Sequence, residues 1–216
     1  MATSCPIPTV HRQRPADASL QAVAVMEEKT MQPNLEDTLA LLASTPAAFN
    51  ALLRDLPEIW THRNEGENTW TAVDVIAHLI DADRVNWLPR AKHILEFGDT
   101  LPFQPFNRDG FEREGFNGGS EPESLAQLLD RFARQRSEKL AELHALHLAP
   151  QDLERHGLHP ALGDVTLSQL LAAWAAHDLT HLHQVTRIMA SQYREEVGPW
   201  RKFLGVLHCE GHSEPA

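Results

Sequence analysis

The chain has 216 residues, enough for one domain with a sizeable core and flanking tails, and its Leu- and Ala-rich, aromatic-poor (6%) composition leans to an all-α fold. Its formal charge of −11 argues against a nucleic-acid surface, which needs clustered Lys and Arg, and no apolar run reaches the roughly 18–20 residues that span a bilayer. Cys5 and Cys209 stand singly near the two ends, which excludes a disulfide framework or a zinc ribbon and fits a reducing cytoplasm; the first residues show no apolar signal-peptide region.

Residues 1–31 read as a flexible tail, with Pro6, Pro8 and Pro15 and few large apolar side chains. Leu20–Lys29 can form a short helix with little to pack on, and Met26 or Met31 is an alternative start that N-terminal sequencing of the native protein would reveal. Asn34 is a good N-cap for a helix over Leu35–Ala43, and Thr45-Pro46 is expected to restart or kink it. Apolar periodicity continues to Leu56, and Pro57 ends it. Arg63–Asn68 reads as a loop.

A second helix is expected from Thr71 to about Phe97, with a kink at Pro89. Val75, Ile76, Leu79, Ala82 and Val85 mark its buried side, and His78 lies among them. Residues 98–120 form a long connection whose Gly and Pro content breaks regular structure and whose phenylalanines should cover one end of a pocket. Glu121-Pro122 opens a third helix to about His147, with Arg131, Arg134, Arg136 and Lys139 as its solvated face. Residues 150–165 are a second connection. Thr166 then caps a long helix to about Gln192, and a short closing helix follows over Trp200–Leu207. No repeat and no convincing strand stands out. Four amphipathic segments joined by loops predict an all-α four-helix bundle over residues 32–208, with tails at 1–31 and 209–216.

The long helix carries Trp174-Ala-Ala-His177-Asp178-Leu-Thr-His181-Leu-His-Gln184. His177 and His181 are four apart, so they stack on one helix face with Leu170, Trp174, Gln184 and Ile188. Two imidazoles there can aim ring nitrogens at one cation, but a metal site needs a further ligand from another helix. The plainer alternative is that both rings are bonded core histidines, since 13 histidines place some pairs four apart by chance. The same holds for His78 on its apolar face. His144, His147, His156, His159, His183, His208 and His212 read as ordinary histidines.

Thr45-Pro46, Leu56-Pro57, Trp70-Thr-Ala-Val-Asp-Val-Ile-Ala-His78-Leu, Gly163-Asp-Val-Thr-Leu and His177-Asp-Leu-Thr-His181-Leu-His-Gln184 together resemble the DinB-like (DinB/YfiT) superfamily over roughly residues 35–190. The resemblance implies a four-helix bundle holding a divalent metal on three histidines, here His78, His177 and His181. Three imidazoles and an open position suit Zn or Ni and a catalytic rather than a structural site. Asp74, Asp81 and Asp178 lie within a turn of a ligand and are candidate partners for the ligands' second ring nitrogens; Gln184 could line the pocket. Asp178 and Gln184 are the weak catalytic candidates.

The activities that the resemblance implies include thiol S-transferases and isomerases using a low-molecular-weight thiol such as bacillithiol or mycothiol, and metal-dependent hydrolases. The leading expectation is thiol transfer to a small-molecule substrate by a cytoplasmic homodimer. The alternatives are hydrolysis of a small substrate with Asp178 or a second water as base, and a non-catalytic, stress-associated metal-binding bundle. His177-Asp178-x-x-His181 has the spacing of the zincin pattern, with Asp in place of its Glu, but no protease scaffold surrounds it.

Overall fold

Asn34 caps α1 (Leu35–Leu53), accepting from the Asp37 amide at 2.9 Å while Asp37 accepts from the Asn34 amide at 3.2 Å. The helix runs unbroken through Pro46, where the sequence predicts a restart. Proline has no N–H for the carbonyl one turn back, which ordinarily bends or ends a helix. Here that carbonyl, Leu42 O, accepts instead from Arg136 Nη1 at 3.0 Å, so the helix continues at no cost in unmet backbone groups. This computed structural model describes residues 34–105 and 123–208, all within one unit spanning Pro33–Ala216. The expected tails, the Leu20–Lys29 helix and most of the Phe-rich connection lie outside the described residues.

After a single turn, α2 (Glu58–Thr61), the expected second helix is two: α3 (Ala72–Val85) and α4 (Trp87–Phe97). Thr71 and Asp74 form the capping box of α3. The break falls at Asn86, with φ −106° and ψ −71°, three residues before Pro89. Pro89 cannot donate to the Val85 carbonyl and crowds it, so the bend appears one turn N-terminal to the proline itself. Ser124 caps α5 (Leu125–His144), which starts later and ends earlier than Glu121–His147.

The segment expected as an irregular connection holds α6 (Pro150–Leu153) and an antiparallel hairpin of β1 (His156–His159) and β2 (Gly163–Thr166), with His156 opposite Thr166 and His159 opposite Gly163. Strands of four residues are too short for alternation to register in the sequence. What fixes them is not local. Phe103 N donates to Leu158 O at 2.9 Å, and Gly163 turns at φ +75°. Gly157 also permits close packing on α4: a Cβ there would lie 2.6 Å from Ile94 and 3.0 Å from Phe103. Gly157→Ala is therefore expected to destabilise by about 1–3 kcal/mol through overpacking. Urea unfolding would check this, and an unchanged midpoint would count against the packing account.

Thr166 and Gln169 cap α7 (Leu167–Ser191), as expected, and two 3-10 turns, Gly198–Phe203 and Gly205–Leu207, replace the expected closing helix. The legs of the bundle are α1, the broken α3–α4, α5 and α7. The core is two apolar clusters, one around Leu42, Leu88, Ile94, Leu143 and Trp174, the other around Phe49, Ile76, Leu79, Phe132 and Val185. On α1, α5 and α7 the chain passes between the clusters through a buried polar residue: Thr45, Arg136 and Asp178. Helical periodicity puts Arg136 on the solvated face of its helix, and it is instead 1% exposed. Its neighbours Arg131 and Lys139 do pair near the surface, with Glu123 and Glu142. No described helix is long and apolar enough to cross a membrane.

Candidate metal centre

The periodicity of α7 puts His177 and His181 on one side of the helix, and α3 brings His78 against them. His78 and His181 are buried, and His177 is partly exposed. The three Nε2 atoms converge: His177 Nε2 lies 3.1 Å from His78 Nε2 and 3.1 Å from His181 Nε2. Tetrahedral ligands at about 2.1 Å from one zinc ion sit roughly 3.4 Å apart. Among the described residues, these three side chains form a group that could hold a metal ion. The donor chemistry fits as well. Neutral imidazoles facing one another present lone pairs that repel unless a proton or a cation stands between them.

The second ring nitrogens are fixed differently. His181 Nδ1 donates to Gln184 Oε1 at 2.8 Å, which sets the ring with Nε2 toward the other histidines. Gln184 therefore adjoins the site, where the sequence put it. His177 Nδ1 is buried without a hydrogen-bond partner, and Asp178 Oδ1 stands 3.9 Å away, beyond bonding range. Asp74 caps α3, and Asp81 pairs with Arg84.

Asp178 is in place but turned elsewhere. Its Oδ2 accepts from Arg136 Nη1 and from Thr45 Oγ1, both at 2.5 Å, and its Oδ1 accepts from Arg136 Nη2 at 3.1 Å. Arg136 also donates from Nε (2.8 Å) and Nη2 (3.0 Å) to Asp83, whose Oδ1 accepts from Trp174 Nε1 at 3.0 Å. Burial raises the Asp178 carboxyl, but His177, Arg136 and Thr45 outweigh it and hold the group below the usual carboxylate range. For Asp83 burial prevails over Arg136 and pushes the carboxyl up. Burial would lower Arg136, and the two carboxylates reverse that and raise it.

Two tryptophans wall the site. Trp70 lies 4.8 Å from the His78 ring and stacks at 12° on His181, 5.9 Å away; Trp87 sets its ring edge-on to His177 at 5.0 Å. The loop that carries Trp70 is tied to α7 by Glu65 and Arg187 at 2.6 Å. Sequence reasoning missed Trp87, Asp83, Thr45 and Arg136 as neighbours of the site. The one available signal was Pro46 inside a helical pattern, because the carbonyl it orphans requires a buried donor.

A bundle with a three-histidine group between its helices defines a class of potential metal-binding proteins, and the chain belongs to the DinB superfamily, whose family model matches residues 15–185. No curated protein matches it in sequence. Among solved structures, it is similar to YfiT from Bacillus subtilis, described as a probable metal-dependent hydrolase with an unusual four-helix bundle topology. The TM-score is 0.59 at 18% identity, over 77% of this chain and 91% of YfiT. A second structure, TT2238, described as a four-helix bundle protein, gives a TM-score of 0.44 at 21% identity, over 70% of this chain and 97% of that one.

Proposed function

We propose that this chain is a metal-dependent S-transferase that joins a low-molecular-weight thiol to a small electrophilic substrate, with Zn or Ni held by His78, His177 and His181. The observation that carries the metal part is the convergence of three Nε2 atoms at spacings of 3.1 Å. A divalent ion held there would supply Lewis acidity, which would lower the pKa of a bound thiol or water toward about 7. The chain's own residues do the rest. Gln184 orients His181, and Trp70 and Trp87 offer flat apolar walls that keep bulk water from the reacting groups.

One observation favours transfer over hydrolysis. Asp178, the side-chain base that hydrolysis would call on unless a second water served, has both carboxylate oxygens occupied by Arg136 and Thr45. A thiol taken up as thiolate is already the nucleophile and needs no such base. The second reading is hydrolysis of a small substrate, which the description of YfiT supports. Cytoplasmic location and a homodimer remain part of the proposal, on the superfamily resemblance.

The test is turnover of a chromogenic electrophile by metal-loaded protein, with and without added thiol. Conjugation that needs both metal and thiol supports the transferase. Metal-dependent cleavage of ester or amide substrates without thiol would replace it with the hydrolase. Bound metal with neither activity would leave a non-catalytic bundle.

A further inference from the structure

Beside the three histidines lies a charge cluster that the proposed reaction does not use. Asp83 and Asp178 are fully buried, and Arg136 is 1% exposed. Donors on Arg136 and Trp174 bond Asp83, and donors on Arg136 and Thr45 bond Asp178, with His177 Nδ1 standing further off at 3.9 Å. Both side chains are thus held as acceptors, the role of an ionised carboxylate, and at Asp83 these donors work against the burial that pushes its carboxyl up. Two anions against one guanidinium leave a surplus negative charge in the apolar middle of the bundle. That is costly unless a cation is near. Fold construction alone does not require it. Arg136 donates to Leu42 O beneath Pro46, alongside Thr45 Oγ1, and one carboxylate would neutralise it.

The histidine site has the opposite imbalance. Three neutral imidazoles contribute no charge, so a divalent ion bound to them would bring its full charge into the bundle. Compensation has to come from outside the ligand set. Asp178 connects the two: it follows His177 on α7, and its Oδ1 lies 3.9 Å from the buried, unpartnered His177 Nδ1.

We propose that the Asp83–Arg136–Asp178 cluster is the counter-charge of the histidine site. Its surplus negative charge, presented to His177 through Asp178, favours a divalent cation on the three imidazoles, with Asp178 as a positioning residue for the His177 ring. The inference rests on the metal reading above and adds the source of the affinity.

The test is Zn²⁺ affinity of the full chain by competition with a chromophoric chelator, beside Tm with and without Zn²⁺. Asp83→Asn touches no ligand and removes one charge. It is expected to weaken Zn²⁺ binding about tenfold or more, whereas Thr45→Val, which disturbs the same cluster without changing its charge, stays within about twofold. Asp178→Asn removes a charge from the other side and serves if Asp83→Asn does not fold. The double variant Asp83→Asn/Arg136→Gln again has one surplus negative charge and is expected to recover affinity. A merely structural cluster predicts a different pattern: each variant lowers Tm, and the metal-induced rise in Tm is unchanged. Wild-type affinity in the charge-removing variants, or equal losses in Thr45→Val, would overturn the proposal and leave the metal site standing. No Zn²⁺ binding by the wild type would overturn both.

Discussion

Purified protein is expected to carry about one divalent ion per chain, and His78→Ala or His177→Ala to reduce that to a trace while the far-ultraviolet helical signal survives. The reason is geometric. His177 and His181 come from a single helix, and alone they make a two-point site. His78, 99 residues away from His177 in the chain, turns it into a three-point one. Either substitution removes one ligand and leaves a residual pair too weak to survive purification. Neither removes a large part of the apolar core, so the bundle should persist.

Metal bound to the folded chain alone also stabilises it. At a free concentration a hundredfold above Kd the gain is about 2.7 kcal/mol. Wild type should therefore melt higher with Zn²⁺ than with a chelator, and the two histidine variants should melt alike in both. Elemental analysis beside differential scanning calorimetry reads both effects. A wild type without metal, even after metal is added back, would make these three residues core histidines. The enzymatic reading would fall with the site.

Arg136→Leu is expected to be among the most damaging single substitutions, costing about 3–5 kcal/mol. It would strand two buried carboxylates, Asp83 and Asp178, and leave Leu42 O with only the Thr45 hydroxyl as a donor. Arg136→Lys should rescue little. One ammonium cannot reproduce the fork that reaches Asp83 through Nε and Nη2 and Asp178 through Nη1 and Nη2. A surface control isolates burial as the cause. Lys92 pairs with Glu142 at 2.8 Å, with side chains 47% and 42% exposed, so Lys92→Ala should cost no more than about 0.5–1 kcal/mol. Urea unfolding of the three variants measures the contrast. A loss below about 1 kcal/mol for Arg136→Leu would mean that the cluster does not hold the bundle's centre together.

The bundle was readable because its signals are local and repeat. Asn34, Thr71 and Thr166 mark helix starts, and each does cap its helix in the structure. The spacing of His177 and His181 fixed their common face from the chain alone, since four residues are about one helical turn. The family resemblance added His78, and that position does meet the other two.

Other features depend on partners distant in sequence. The hairpin of β1 and β2 is held by Phe103 and by α4 through Gly157, neither visible in two four-residue strands. Pro46 predicts a helix restart by itself, and α1 runs on because Arg136 from α5 and the Thr45 hydroxyl donate to the Leu42 carbonyl. Arg136 in turn looks like one more charge on a solvated face. Its burial depends on Asp83 and Asp178 arriving from α3 and α7 to neutralise it. Asp178, readable as a base beside His177, is committed to that cluster instead. By itself, then, the sequence determined the helices, the bundle and the common face of His177 and His181, because helical periodicity and capping are short-range. The polar layer, the tryptophan walls and the orientation of each carboxylate were decided only in three dimensions, because buried charges take the positions that their partners on other helices allow.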